Sequence, residues 1–64
     1  MFGDMLHRDR ERFGYSVVQA AGRFGLSPSE CREIEAGTQW PSFDTYDRIC
    51  KLFGWPQTFV GADS

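Results

Sequence analysis

A chain of 64 residues has room for one folded unit and needs dense aromatic packing, staples or a partner to hold it, and its aromatic content of 16% suits a compact globule. Cys31 and Cys50 are too few for a disulfide framework, only His7 is available to join them on a metal, and no apolar run approaches membrane-spanning length. Seven basic residues against nine acidic ones give a net charge of −2, whereas nucleic-acid binders are usually basic, so composition alone counts against a polyanionic partner.

The first helix is expected from about Asp4 to Phe13, where Met5, Leu6, Asp9, Arg10 and Phe13 recur at spacings of three or four and Gly14 supplies a stop. Ser16 is an N-cap for the second helix, Tyr15 precedes it as a staple, and Gln19 completes a Ser-x-x-Gln capping box. Ala20, Ala21 and Phe24 form its inward face, Gly22 weakens it, and Gly25 ends it. The third helix is marked three times over. Ser27 caps it, Pro28 takes the first helical position, and Glu30 closes a Ser-x-x-Glu box. Cys31 and Ile34 point inward and Gly37 terminates it. After the turn Thr38-Gln-Trp-Pro41, Ser42 caps a fourth helix to about Phe53, with Phe43, Tyr46, Ile49, Cys50 and Phe53 at helical spacing. Trp55 to Val60 is short and apolar, with a further helical turn expected after Pro56, and residues 61–64 are expected to fray. No stretch alternates as a strand would. The expectation is one all-α domain over 1–64 with its core at about 4–60.

The two cysteines read as small buried hydrophobes in a reducing cytosol. The opening Met1-Phe-Gly-Asp-Met-Leu-His-Arg has no apolar signal region, so a soluble cytoplasmic protein with no membrane attachment is expected.

From about Leu6 to Trp55, roughly four-fifths of the chain, a series of residues stands in a telling order. Arg10, Gly14-Tyr15-Ser16, Ala20-Ala21, Phe24-Gly25-Leu26-Ser27, Ile34-Glu35-x-Gly37, Pro41-Ser42 and Phe53-Gly54 together resemble the helix-turn-helix family of phage repressors and Cro proteins, the xenobiotic-response-element (XRE) family. The resemblance implies a lambda-repressor-like fold of four to five short helices, with the second and third forming the DNA-binding pair. Two departures stand out. Val17 occupies a position where the family often has a phosphate-bonding Gln, and Thr38-Gln39-Trp40 replaces a loop that often carries Lys or Arg.

By resemblance, Ser27, Pro28, Ser29, Arg32 and Glu33 would face the bases. The inward placement of Cys31 and Ile34 independently puts 28, 29, 32 and 33 on the opposite side. Arg32 suits guanine O6 and N7, Glu33 suits the cytosine amino group, Ser29 a base or phosphate, and Pro28 a thymine methyl. The alternative reading of Arg32 and Glu33 is that they solvate an exposed helix face, as charged residues usually do. The amino ends of the second and third helices nominate Ser16, the Val17 backbone and Ser27 for phosphate, since Ser16 and Ser27 head the two helices, with Arg23, Thr38 and Gln39 as secondary candidates. Five basic residues, Arg8, Arg10, Arg12, Arg23 and Arg32, lie before Gly37, so positive charge could concentrate locally. The resemblance also implies a structural ion pair between Arg10 and Glu35.

Trp55 is expected to close the bottom of the core. With Phe59 and Val60 it is also a candidate homodimer contact, since operators of this family are typically palindromic. No catalytic constellation is present, so no enzyme and no cofactor are expected: His7 stands alone in an exposed stretch, and the glycines sit singly. The leading expectation is a sequence-specific DNA-binding transcriptional regulator that places helix 28–36 in the major groove as a homodimer on a palindromic double-stranded operator. The alternatives are a protein-interaction module, or the antitoxin of a toxin–antitoxin pair, with weak DNA affinity.

Overall fold

The computed structural model describes residues 2–56. Four helices follow one another there: α1 (Phe2–Arg12), α2 (Val17–Phe24), α3 (Pro28–Ala36) and α4 (Phe43–Phe53). Among the described residues there is no strand. The described part of the chain is therefore all-α. The helical turn expected after Pro56, the frayed end and the dimer candidates Phe59 and Val60 lie outside the described residues.

Serine hydroxyls start three of the four helices. Ser16 Oγ accepts from the Gln19 amide at 3.1 Å while Gln19 Oε1 accepts from the Ser16 amide at 2.9 Å. Ser27 and Glu30 repeat that reciprocal pair at 3.1 and 2.9 Å. Ser42 Oγ accepts from the Thr45 amide at 3.2 Å. Each cap satisfies an amide that a helix start would leave bare, and contributes about 1 kcal/mol. The turn between α2 and α3 pivots on Gly25, whose φ of +75° suits a residue without Cβ. A Cβ there would also strike the Arg48 guanidinium, which donates to the Phe24 carbonyl at 3.4 Å.

Leu6, Ala20, Ala21, Phe24, Cys31, Ile34, Ile49 and Phe53 form the core, so every helix contributes. Aromatic rings close its lower end. Phe2 lies 5.7 Å from Tyr46 and 5.8 Å from Trp55 between ring centroids, and Phe53 lies 5.4 Å from Trp55. Burial pushes the Tyr46 phenol up to about 12, helped by its bond to Cys50, so it stays neutral in the core. Both cysteines are free and buried. Burial, then the neighbouring Glu35 charge, raises the Cys31 thiol above its ordinary value, which keeps it an inert packing group.

Three local expectations need correction. The first helix begins at Phe2 rather than near Asp4, and ends at Arg12. Its early start is a packing effect: Phe2 meets the rings of Tyr46 and Trp55 at tilted and edge-on angles, and Gly3 lies against the backbone of Ile34 and Glu35, where a side chain would collide with the Glu35 carbonyl oxygen. Met5 and Phe13 are not inward residues. Both are exposed, and Phe13 keeps only an edge contact to Phe53 at 5.1 Å. Phe43 is 71% exposed because, at the first helical position, it projects beyond the inner face of Thr45, Tyr46, Ile49, Cys50 and Phe53. Gly22 is exposed with open space where a Cβ would sit, so it weakens α2 without serving its packing.

Candidate nucleic-acid interface

On α3 the inner side is Cys31 and Ile34, at 0% and 1% exposure, and these two fix which residues face outward. Ser27, Ser29, Arg32 and Glu33 are exposed and Pro28 is half-buried. They form one continuous side, from the first turn to the middle of the helix. Their chemistry is mixed: two hydroxyls, an apolar ring, a cation and an anion. Such a side offers both donors and acceptors to base edges.

The remaining phosphate candidates and Trp55 belong to α2 and its cap, the loop after α3 and the segment after α4. Ser16 is exposed at the head of α2, and Val17 is half-buried against the core. The amides of Val17, Val18 and Ser29 precede the first intrahelical bonds, so they have no acceptor among the described residues. Thr38 already has a partner for its hydroxyl proton, since Oγ1 donates to the Glu33 carbonyl at 3.2 Å. Gln39 is half-buried beside Trp40 in a groove of about 340 Å³ that Phe2, Gly3 and Ile34 also line. Trp55 is half-buried, with its indole N–H donated to Asp9.

Arg10 and Glu35 tie α1 to the carboxyl end of α3. Arg10 Nε donates to Glu35 Oε2 at 2.6 Å, and Nη2 reaches Oε1 at 3.3 Å. The two side chains are 10% and 9% exposed, so the pair is held nearly out of water. Arg10 Nη1 donates to the Tyr15 carbonyl at 2.9 Å, carrying the tie into the segment before α2. The bonded Glu35 carboxylate raises the Arg10 guanidinium further above its ordinary range, against the opposing effect of burial. Such a pair adds little net stability, yet removing one partner strands a buried charge.

His7 requires correction. It is half-exposed but not alone: Nδ1 is 3.0 Å from Glu35 Oε1, and Nε2 is 3.5 Å from Glu11 Oε1. Twenty-eight residues separate it from Glu35, and no local pattern encodes that contact. The pool of free cations is also smaller than the sequence allows. Arg10 is held by Glu35, and Asp9 takes Arg8 at 3.1 Å and Arg12 at 3.7 Å. Of the five basic residues before Gly37, Arg23 and Arg32 are left without a carboxylate partner among the described residues. Both lie on the α2–α3 pair. Among the described residues, no group of three or more His, Cys, Asp or Glu side chains is placed to hold a metal ion, and no helix is long and apolar enough to cross a membrane.

No curated protein and no solved structure matches the chain. A family model described as a helix-turn-helix domain matches residues 1–59, a span that takes in all four helices and the Gly25 turn. Together with the capped α2–α3 pair, this match shows that the chain belongs to the helix-turn-helix domain family, a domain found in XRE-like regulators.

Proposed function

We propose that this chain is a sequence-specific, double-stranded-DNA-binding regulator of transcription that sets α3 in the major groove and works in the cytoplasm as a homodimer on a palindromic operator. The reading rests on the side of α3 made by Ser27, Pro28, Ser29, Arg32 and Glu33, which is solvent-facing and carries base-edge chemistry on a helix-turn-helix frame. Arg32 pairs with guanine O6 and N7, and Glu33 accepts from a cytosine amino group. Ser16, Ser27 and the Val17 backbone hold phosphates, with Arg23 beside them and Thr38 and Gln39 at the margin. Trp55, Phe59 and Val60 supply the contact between protomers. A domain of this kind is a binding device and not a catalyst.

The test is an anisotropy titration against the DNA flanking the chain's own gene at two salt concentrations. Saturable binding that weakens with salt supports the reading. No binding at low salt by a protein shown to be folded overturns it.

A second reading, a protein-interaction module, is favoured by two exposed aromatics. Trp40 and Phe43 are 76% and 71% exposed on the connection into α4 and its first turn. Large apolar side chains there suit a protein partner better than a phosphate backbone. A flat duplex titration by the folded chain moves the assignment to this reading.

A further inference from the structure

Five of the seven cations face carboxylates: Arg8 and Arg12 meet Asp9, Arg10 meets Glu35, Arg48 meets Asp44 at 3.1 Å, and Lys51 meets Asp47 at 2.9 Å. Arg23 has a partner of another kind. Its guanidinium carbon lies 5.2 Å from the centroid of the Tyr15 ring. Arg23 is in the last turn of α2 and Tyr15 precedes the Ser16 cap, so the side chain runs back along the helix towards its amino end.

The Tyr15 ring is a fixed platform. Its amide donates to the Arg10 carbonyl at 3.0 Å, its carbonyl accepts from Arg10 Nη1 at 2.9 Å, and its half-buried side chain packs on the core. The ion pair that anchors Arg10 to α3 thereby also sets where Tyr15 stands relative to α3. An aromatic face and a carboxylate do different things to a guanidinium. A carboxylate orients the cation and cancels its charge. A ring orients it through the quadrupole and leaves a full positive charge facing outward.

We infer that Tyr15 is a positioning residue that presents Arg23, uncancelled, to the phosphate backbone of duplex DNA. This rests on the DNA-binding reading above. It makes Arg23, with Arg32, a cation of the α2–α3 pair that no carboxylate among the described residues holds, beside the exposed acids Glu30 and Glu33.

The experiment measures anisotropy of a fluorescein-labelled mixed-sequence duplex across a potassium chloride series, with circular dichroism melts of each variant. Tyr15→Phe keeps the ring and is expected to bind as the parent does. Tyr15→Leu and Arg23→Gln are each expected to weaken binding about three- to tenfold and to flatten the slope of log K against log salt by up to about 0.9, the signature of one lost phosphate contact. The double variant is expected to lose no more than either single one, because both remove the same contact. Multiplying losses, an unchanged slope in Arg23→Gln, or parental binding by Tyr15→Leu overturns the inference. Proton NMR of the free protein provides a second measurement, independent of how well Tyr15→Leu folds. The Arg23 side-chain protons are expected to be ring-shifted upfield in the parent and in Tyr15→Phe, and unshifted protons overturn the inference. A parent chain that is folded yet does not bind the duplex overturns the DNA reading itself, a result distinct from parental binding by Tyr15→Leu.

Discussion

Glu35 touches three side chains that the chain must hold in register. It bonds Arg10 through both oxygens, takes His7 Nδ1 at 3.0 Å, and lies 3.9 Å from the Cys31 sulfur. Glu33, two residues earlier, is exposed and offers only its main-chain carbonyl, to Thr38. The two acids therefore separate stability from binding. Glu35→Ala strands the Arg10 charge and is expected to cost about 3 kcal/mol, lowering the thermal midpoint by more than about 10 °C. Glu33→Ala is expected to stay within about 0.5 kcal/mol of the parent in the same melt while altering which duplexes are preferred. Equal midpoints for the two variants would contradict the assignment. The positions of Arg10 and Glu35 are visible in the sequence through the family resemblance. His7 is not, because its partner is chosen by the approach of α1 to α3 and not by its neighbours in sequence.

Helix boundaries are the most legible part of this chain, and the reason is chemical. A serine that caps and a glutamine or glutamate three residues later satisfy each other's backbone over a few ångströms, so Ser16 with Gln19 and Ser27 with Glu30 define their helices locally. The start of α1 has no such signal. Gly3 is a poor helix former, and only its contact with the Ile34 and Glu35 carbonyls explains why it lies inside a helix. Gly3→Ala is expected to force α1 away from α3 and to destabilise the fold by about 1–3 kcal/mol in denaturant titration. Gly22→Ala is the opposite case. Nothing lies within 4 Å of the added methyl, and its φ is not positive, so α2 should gain up to about 1 kcal/mol. A stabilising Gly3→Ala or a destabilising Gly22→Ala would show that the α1–α3 approach or the open face of α2 is misassigned.

At the scale of the whole molecule, Asp9 joins the two ends of the described chain. It is buried, accepts from the Trp55 indole 46 residues away, and sits beside Arg8 and Arg12. The Trp55 bond is the main reason its carboxyl is held below the ordinary range, with the two guanidinium groups adding to it against the cost of burial. A carboxyl depressed in the folded state stabilises above its unfolded value, roughly pH 4, and that stability is lost as pH falls through the lower folded value. Acid titration of the fold is therefore expected to show a loss of stability below about pH 4 that Asp9→Asn diminishes. An identical acid profile in the variant would remove Asp9 from that role. Composition gives a net charge of −2 and conceals this arrangement, because charge is paired locally: the cations of α1 and α4 face carboxylates while Arg23 and Arg32 do not.

Backbone amide NMR of the folded chain, titrated with duplex DNA, tests most directly whether the outer side of α3 is the working surface. Shifts concentrated at residues 27–33, with a second group at 16–18 and Arg23, are the expected result. Shifts confined to Phe2, Trp40 and Phe43, or none at all under low salt, would contradict it.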